Sequence, residues 1–254
     1  LGTSYRDFLP SMNLVTDVGR DTVLRFGLGR QLARANMEDM KATTDFGVDT
    51  GSGAPILKGS GGNPFLKPFK ATAVDLSLEK YFGNKGYVSA AYFYKDLSTY
   101  IVKLPQTNFD FSSFILPSSP LPPSGSVIGT FTQPINGEGG SIKGFELAVN
   151  VPFSLMTPAL DGFGVMLNYS STDSSLDLTT SGFNTSNIGI TTMPLPGLSK
   201  QVTNLRAYYE KYGFQVAVAS RYRSEYLGSI SDFQDNTQLV FFKPERTYDL
   251  QASY

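Results

Sequence analysis

The sequence predicts an all-β protein, an antiparallel up-and-down barrel that crosses a membrane with strands. Three observations carry this. Stretches of about ten residues alternate apolar with polar side chains, the period of two that gives a strand unlike faces. These stretches come in pairs joined by short turns, and the pairs are separated by polar connections of roughly 20 to 40 residues, the asymmetry of outer-membrane barrels. Tyr and Phe gather at the strand ends, where interfacial girdles need them. A hydrocarbon band about 25 Å tall, crossed at a tilt of about 40° with a rise of roughly 3.3 Å per residue, takes about ten residues per strand. Strands of soluble sandwiches also alternate but average nearer five or six residues, and connections this long would count against a compact soluble domain.

Each element follows from its own pattern. A leading strand is expected over residues 5–14. In residues 22–29, Leu24, Phe26 and Leu28 alternate with Arg25, Gly27 and Gly29. Residues 73–81 set Val74, Leu76 and Leu78 against Asp75, Ser77 and Glu79, and the tight turn over residues 83–86 leads into residues 87–96. There Val88, Ala90, Tyr92 and Tyr94 oppose Ser89, Ala91, Phe93 and Lys95. Residues 144–150 place Phe145, Leu147 and Val149 opposite Glu146, Ala148 and Asn150, and residues 163–170 place Val165, Leu167 and Tyr169 opposite Met166 and Asn168. Residues 203–210 offer Leu205, Ala207 and Tyr209 on one face and Asn204, Arg206, Tyr208 and Glu210 on the other. After the short turn Lys211-Tyr212-Gly213, residues 214–223 set Phe214, Val216, Val218 and Tyr222 against Gln215, Ala217, Arg221 and Arg223. Residues 248–254 close the series with Tyr248, Leu250 and Ala252 against Asp249, Gln251 and Ser253, for about nine strands in all. Four polar connections remain, over residues 32–71, 102–141, 171–199 and 227–244.

Composition removes several classes of function. The 254 residues carry a net charge of −1 and contain no His, Cys or Trp. A near-neutral chain is a poor nucleic-acid partner. Without His or Cys there is no Ser-His-Asp triad, no Cys nucleophile, no thiolate or imidazole zinc site and no disulfide framework. An outer-membrane lipase or protease would therefore lack its base within this chain. No apolar run approaches the roughly 18 residues of a membrane-spanning helix, and no signal peptide opens the chain. Absence of Cys is compatible with a periplasmic or surface location. The sequence opens at Leu1 and stops at Tyr254 inside an alternating run, and it reads as a fragment.

Candidate functional residues are the polar members of the strand that face inward: Arg25, Asp75, Glu79, Glu146, Asn168, Arg206, Glu210, Arg221 and Arg223. They are expected to line the lumen, for substrate passage; the alternative is a solvated interior with interstrand ion pairs. The loop acids Asp45, Asp49, Asp232 and Asp235 do not reproduce a calcium-loop spacing, so no metal is expected. The glycine clusters at residues 59–62 and 137–140 lack the Lys-Ser/Thr of a phosphate loop and read as turns. The triplets Asn168-Tyr169-Ser170 and Asn184-Thr185-Ser186 fit a glycosylation acceptor, a pattern so short that it carries almost no weight by itself. The loop aromatics Phe46, Phe65, Phe109, Phe111, Phe114, Phe131 and Phe183 suit either stacking on a ligand or packing of loop on loop.

Several of these stretches resemble the TonB-dependent receptors, ligand-gated outer-membrane transporters of Gram-negative bacteria. The likeness runs through Leu9-Pro10-Ser11-Met12-Asn13-Leu14, Arg25, Gln31-Leu32-Ala33-Arg34 and Gly62-Asn63-Pro64-Phe65-Leu66-Lys67-Pro68. It continues through Glu79, Tyr81 and Phe82, then Phe93-Tyr94-Lys95, Gly144-Phe145-Glu146, Leu195-Pro196-Gly197-Leu198-Ser199-Lys200, Asn204, Tyr209-Glu210 and Arg221-Tyr222-Arg223 with Tyr226. Each piece is weak, but their order and spacing are specific, and they cover nearly the whole chain. The resemblance implies a parent barrel of about 22 strands around an N-terminal plug, of which residues 1–254 are a partial barrel domain lacking the plug and the final strands. It also implies energy-coupled import of a ferric siderophore, cobalamin or oligosaccharide, with outer-membrane lipid, the plug and the TonB complex as partners and no cofactor. A passive porin shares the same strand pattern and is the alternative.

Overall fold

The structure, a computed structural model, describes residues 2–51, 54–83, 85–180, 189–233 and 236–254. Its strands are β1 (Ser11–Asp17), β2 (Thr22–Ala33), β3 (Thr44–Asp49), β4 (Ile56–Gly61), β5 (Phe69–Phe82), β6 (Gly86–Asp110), β7 (Ile128–Gly137) and β8 (Gly140–Pro152). They continue as β9 (Phe163–Asp177), β10 (Thr192–Met193), β11 (Gln201–Lys211), β12 (Phe214–Arg223), β13 (Tyr226–Phe233), β14 (Asn236–Phe242) and β15 (Glu245–Ser253). The few helical turns are of 3-10 type, and among the described residues no helix is long and apolar enough to cross a membrane.

The main sheet runs β1-β2-β5-β6-β8-β9-β11-β12-β15, nine strands in which every neighbour pair is antiparallel. These nine correspond to the nine alternating stretches of the sequence. The sheet is open: β1 and β15 each pair on one side only and do not pair with each other. The leading strand begins later than residues 5–14 suggest, at Ser11. Pro10 has no N–H to donate and so the ladder stops beside it, while the turn after Asp17 extends the other end to an Asp17–Val23 pair. Turn chemistry sets the register at the short connections. Between β11 and β12, Tyr212 and Gly213 both take positive φ (57° and 79°), the two left-handed residues of a turn whose twist matches the flanking strands.

Because the nine strands alternate in direction, the four long connections leave one rim and the short turns leave the other. Gly62, Leu116 and the backbone of Phe233 belong to the first; Pro158 and Tyr212 belong to the second. Asn84 and Asn184 lie outside the described residues.

Apolar burial is inverted relative to a water-soluble sheet. Leu76, Leu78, Tyr92, Phe145, Leu205 and Val218, mid-strand residues of the main sheet, are all more than a third exposed. The buried large side chains lie instead in the long-connection region, in two clusters. One gathers Leu97, Tyr100, Val102 and Leu104 of β6, Ile135 of β7, Leu176, Leu178, Met193, Leu227 and Ile230. The other is Leu57, Phe111 and Phe131 with Phe46, Val48, Phe109 and Ile115 packed against it.

The long connections therefore correct the expectation of polar loops. Upper β6 extends to Asp110 and pairs with β7, β3 pairs with β4, β4 pairs with β7 in parallel, and β13 pairs with β14. The physical reason is that these apolar residues leave water by packing on one another. A contiguous exposed apolar face such as that of the main sheet marks a surface that meets lipid or protein. Side-chain hydrogen bonds finish strand ends in the same region. Asp177 accepts from the Thr179 hydroxyl (2.6 Å) and N–H (2.9 Å), which holds its carboxyl below the ordinary carboxylate range.

Candidate functional site

The candidate site is the polar face of the nine-stranded sheet, and register shows how it is assembled. Directly paired residues in a sheet project to the same side. One row crosses the sheet as Glu79, Ser89, Ala148, Asn168, Asn204 and Arg221. The next runs Arg25, Ser77, Ala91, Glu146, Ser170, Val202 and Arg223. Asp75 lies between Gly27 and Phe93, Arg206 between Met166 and Ala219, and Glu210 beside Gln215, all in step with these rows. The nine residues singled out in the sequence thus share one face. The other face carries rows such as Leu24, Leu78, Ala90, Leu147 and Tyr169, or Val149, Leu167 and Leu205.

Charge of both signs is spread over the polar face: Arg25 on β2 lies beside Asp75 and Glu79 on β5, Glu146 lies on β8, and Arg206 and Glu210 lie on β11 next to Arg221 and Arg223 on β12. A shallow groove across β6, β8, β9 and β11 is lined by Ser89, Ala91, Glu146, Asn168, Ser170 and Asn204 among others. Arg25 meets Glu79 in a two-pronged ion pair, Nε to Oε1 at 2.8 Å and Nη2 to Oε2 at 3.2 Å, and the Tyr81 hydroxyl donates to the same carboxylate at 2.7 Å. Asp75, Glu146, Arg206, Glu210 and Arg221 form no ion pair among the described residues.

Arg223 has a different role from the other arginines. Its Nε donates to the Ser199 hydroxyl at 2.6 Å, its Nη2 donates to the Gly197 carbonyl, and its guanidinium lies 3.7 Å from the centre of the Tyr226 ring. It anchors the segment entering β11 to the strand that leaves β12. The sequence marked Arg223, Tyr226 and the 195–200 stretch separately; nothing in the alternation shows that they meet.

Two aromatics on the polar face lie across glycines of the neighbouring strand. Phe93 covers Gly144 and the Tyr208 ring covers Gly164, leaving no space for a β-carbon at either glycine. The alternation in the sequence placed Phe93 and Tyr208 on this face but not their glycine partners, and it missed Tyr81. A small residue opposite an aromatic one in register is the signal, and it requires the strand pairing to be known.

The loop aromatics pack on one another. Phe109 and Phe131 stack with centroids 4.6 Å apart, Phe46 lies 5.4 Å from Phe111, and Phe114 lies 6.1 Å from Phe109. Phe65 is exposed, and Phe183 lies outside the described residues. Among the loop acids, Asp49 pairs with Lys58 at 3.4 Å, and Asp235 and the Asp232 side chain lie outside the described residues. Among the described residues no three metal-capable side chains converge.

Over residues 1–254 the sequence matches the family described as TonB dependent receptor-like, β-barrel. The chain belongs to this family. Its members are outer-membrane barrels of Gram-negative bacteria that act as transport receptors. Among solved structures, this TonB-dependent receptor barrel is similar to the ferric enterobactin receptor PfeA of Pseudomonas aeruginosa, with 14% identity, a TM-score of 0.61, and cover of 96% of this chain and 32% of that one. It is similar to the siderophore receptor PirA of Acinetobacter baumannii at 14% identity and a TM-score of 0.61, over 98% of this chain and 34% of that one. A third is the FpvAI–pyocin S2 complex, at 12% identity and a TM-score of 0.57, over 97% and 27%. At these identities the likeness is one of fold. The chain spans about a third of the length of the solved receptors it matches. No curated protein matches it significantly.

Proposed function

We propose that residues 1–254 are a section of barrel wall in a TonB-dependent receptor that imports a scarce, bulky ligand across the outer membrane by energy-coupled uptake. The observation that carries the reading is the division of one nine-stranded antiparallel sheet into a continuous apolar face and a continuous polar one, in a chain that matches this family from end to end. The apolar face meets outer-membrane lipid, the long-connection rim faces outside, and the short turns face the periplasm.

In this reading Arg25, Asp75, Glu79, Glu146, Asn168, Arg206, Glu210, Arg221 and Arg223 line the lumen. This face, with charges of both signs and a shallow groove across β6, β8, β9 and β11, forms a surface for an N-terminal plug domain outside these residues. The plug in turn couples to the TonB complex. Ferric siderophores are the first ligand class to test, because the similar solved proteins are named as siderophore receptors; cobalamin and oligosaccharides follow.

The test is uptake by whole cells expressing the full-length protein, offered ferric siderophores, cyanocobalamin and maltooligosaccharides, with and without a functional TonB. Accumulation of one ligand that falls at least about tenfold without TonB is expected. Uptake that persists unchanged without TonB would identify a passive diffusion channel instead.

A further inference from the structure

We infer that the first two excursions of the long-connection rim, residues 34–68 and 97–139, form one permanently docked wall, so that this part of the rim presents a preformed surface and does not open or close. The reason is the nature of the joint. Strand β4 of the first excursion pairs in parallel with β7 of the second, from Leu57–Gly129 to Ser60–Thr132, giving a four-stranded sheet in the order β3-β4-β7-β6. Separating the two excursions breaks that backbone ladder and leaves its N–H and C=O groups to find water.

The side chains close the joint on both sides. Leu57 and Phe46 of the first excursion share a cluster with Phe111 and Phe131 of the second, and Leu57 and Phe111 are fully buried. Asn136 accepts from the Lys67 N–H at 2.8 Å and returns its amide to the Lys67 carbonyl at 2.9 Å. Lys103 reaches Asp39 at 2.7 Å. A backbone ladder, a dry aromatic cluster and a two-way amide bond all have to fail together for the wall to part. Such a unit opens at a free energy far above that of a mobile loop. The third and fourth excursions share no strand pairing with this wall among the described residues; they meet it through apolar side chains of the larger cluster, through Tyr100, whose hydroxyl donates to the Asp177 carbonyl, and through one backbone bond from the Asp177 N–H to the Gly139 carbonyl.

The experiment is thiol protection in intact cells. This chain contains no Cys, so a thiol introduced by Thr130→Cys, at a position 1% exposed that pairs with Lys58 across the joint, reports opening of the joint, and one introduced by Ser60→Cys, exposed near the end of β4, reports access of the reagent. In the full-length receptor, labelling by a membrane-impermeant maleimide should be at least about a hundredfold slower for Thr130→Cys than for Ser60→Cys, and the ratio should not change when a protonophore de-energises the cells. Adding Asn136→Ala should raise the rate at the protected thiol; if that variant fails to assemble, Lys103→Ala serves. Labelling of the Thr130→Cys protein within about tenfold of the Ser60→Cys protein, or a ratio that changes with energisation, would overturn the docked wall. The result does not depend on which ligand is carried, so it is separable from the uptake test.

Discussion

Single residues on the polar face are held by neighbours one strand away. Gly144 is the clearest case, because a β-carbon there would lie 2.7 Å from the Ser171 carbonyl oxygen and 2.6 Å from the Phe93 ring. Gly144→Ala should destabilise the folded protein by about 1–3 kcal/mol through overpacking. The measurement is the temperature at which the folded, fast-migrating band is lost on a gel of the detergent-solubilised receptor. Pairing the change with Phe93→Ala should recover only part of that loss, since the ring contact is relieved and the backbone one stays. A Gly144→Ala protein as heat-resistant as the parent would mean that the neighbouring strands do not approach so closely there. The same dependence on a neighbour explains Arg223, whose position in the alternation matches Arg221 but whose guanidinium is committed to Ser199, Gly197 and Tyr226.

At the scale of the strand, lipid fixes register. A slip of one residue in β11 would turn Leu205, Ala207 and Tyr209 inward and carry Arg206 onto the apolar face, at a cost of about 2–4 kcal/mol for an arginine near the midplane. Leu205→Arg in the intact receptor should accordingly reduce the amount assembled in the outer membrane, measured by surface labelling of whole cells. Unchanged assembly would count heavily against a lipid-facing Leu205. Strand β6 shows the second influence on an element. Its 25 residues reach about 80 Å when extended, far more than the membrane needs. The lower part alternates for lipid and lumen, and the upper part packs Tyr100, Val102 and Leu104 into a water-excluded cluster.

For the molecule as a whole, the open sheet is the governing fact. Strands β1 and β15 are exposed along their full lengths, and each presents one unpaired row of backbone donors and acceptors. Lipid offers no hydrogen bonds to such an edge. Residues 1–254 expressed alone should aggregate or fail to insert, as read by sedimentation and by heat-modifiable mobility after refolding into detergent. A closed, heat-resistant barrel from these residues alone would refute the assignment to a wider wall, because barrel width and strand number are linked.

The sequence by itself determined the nine strands of the main sheet, their two faces, the alternation of short and long connections and the family. Each of these follows from a local rule: side chains alternate with period two, and a strand wet on one side and oily on the other must show it in its own residues. That the nine candidates share one face was legible for the same reason, whereas which of them meet, as Arg25 and Glu79 do, needed the register. Only the tertiary structure decided what the long connections do. Leu57, Phe46, Phe111 and Phe131 are scattered over more than eighty positions among Gly, Pro, Ser and Thr, and no periodicity within any one stretch reveals that they meet. They are brought together by the parallel pairing of β4 with β7, a long-range contact favoured because apolar side chains outside the membrane can leave water only against one another.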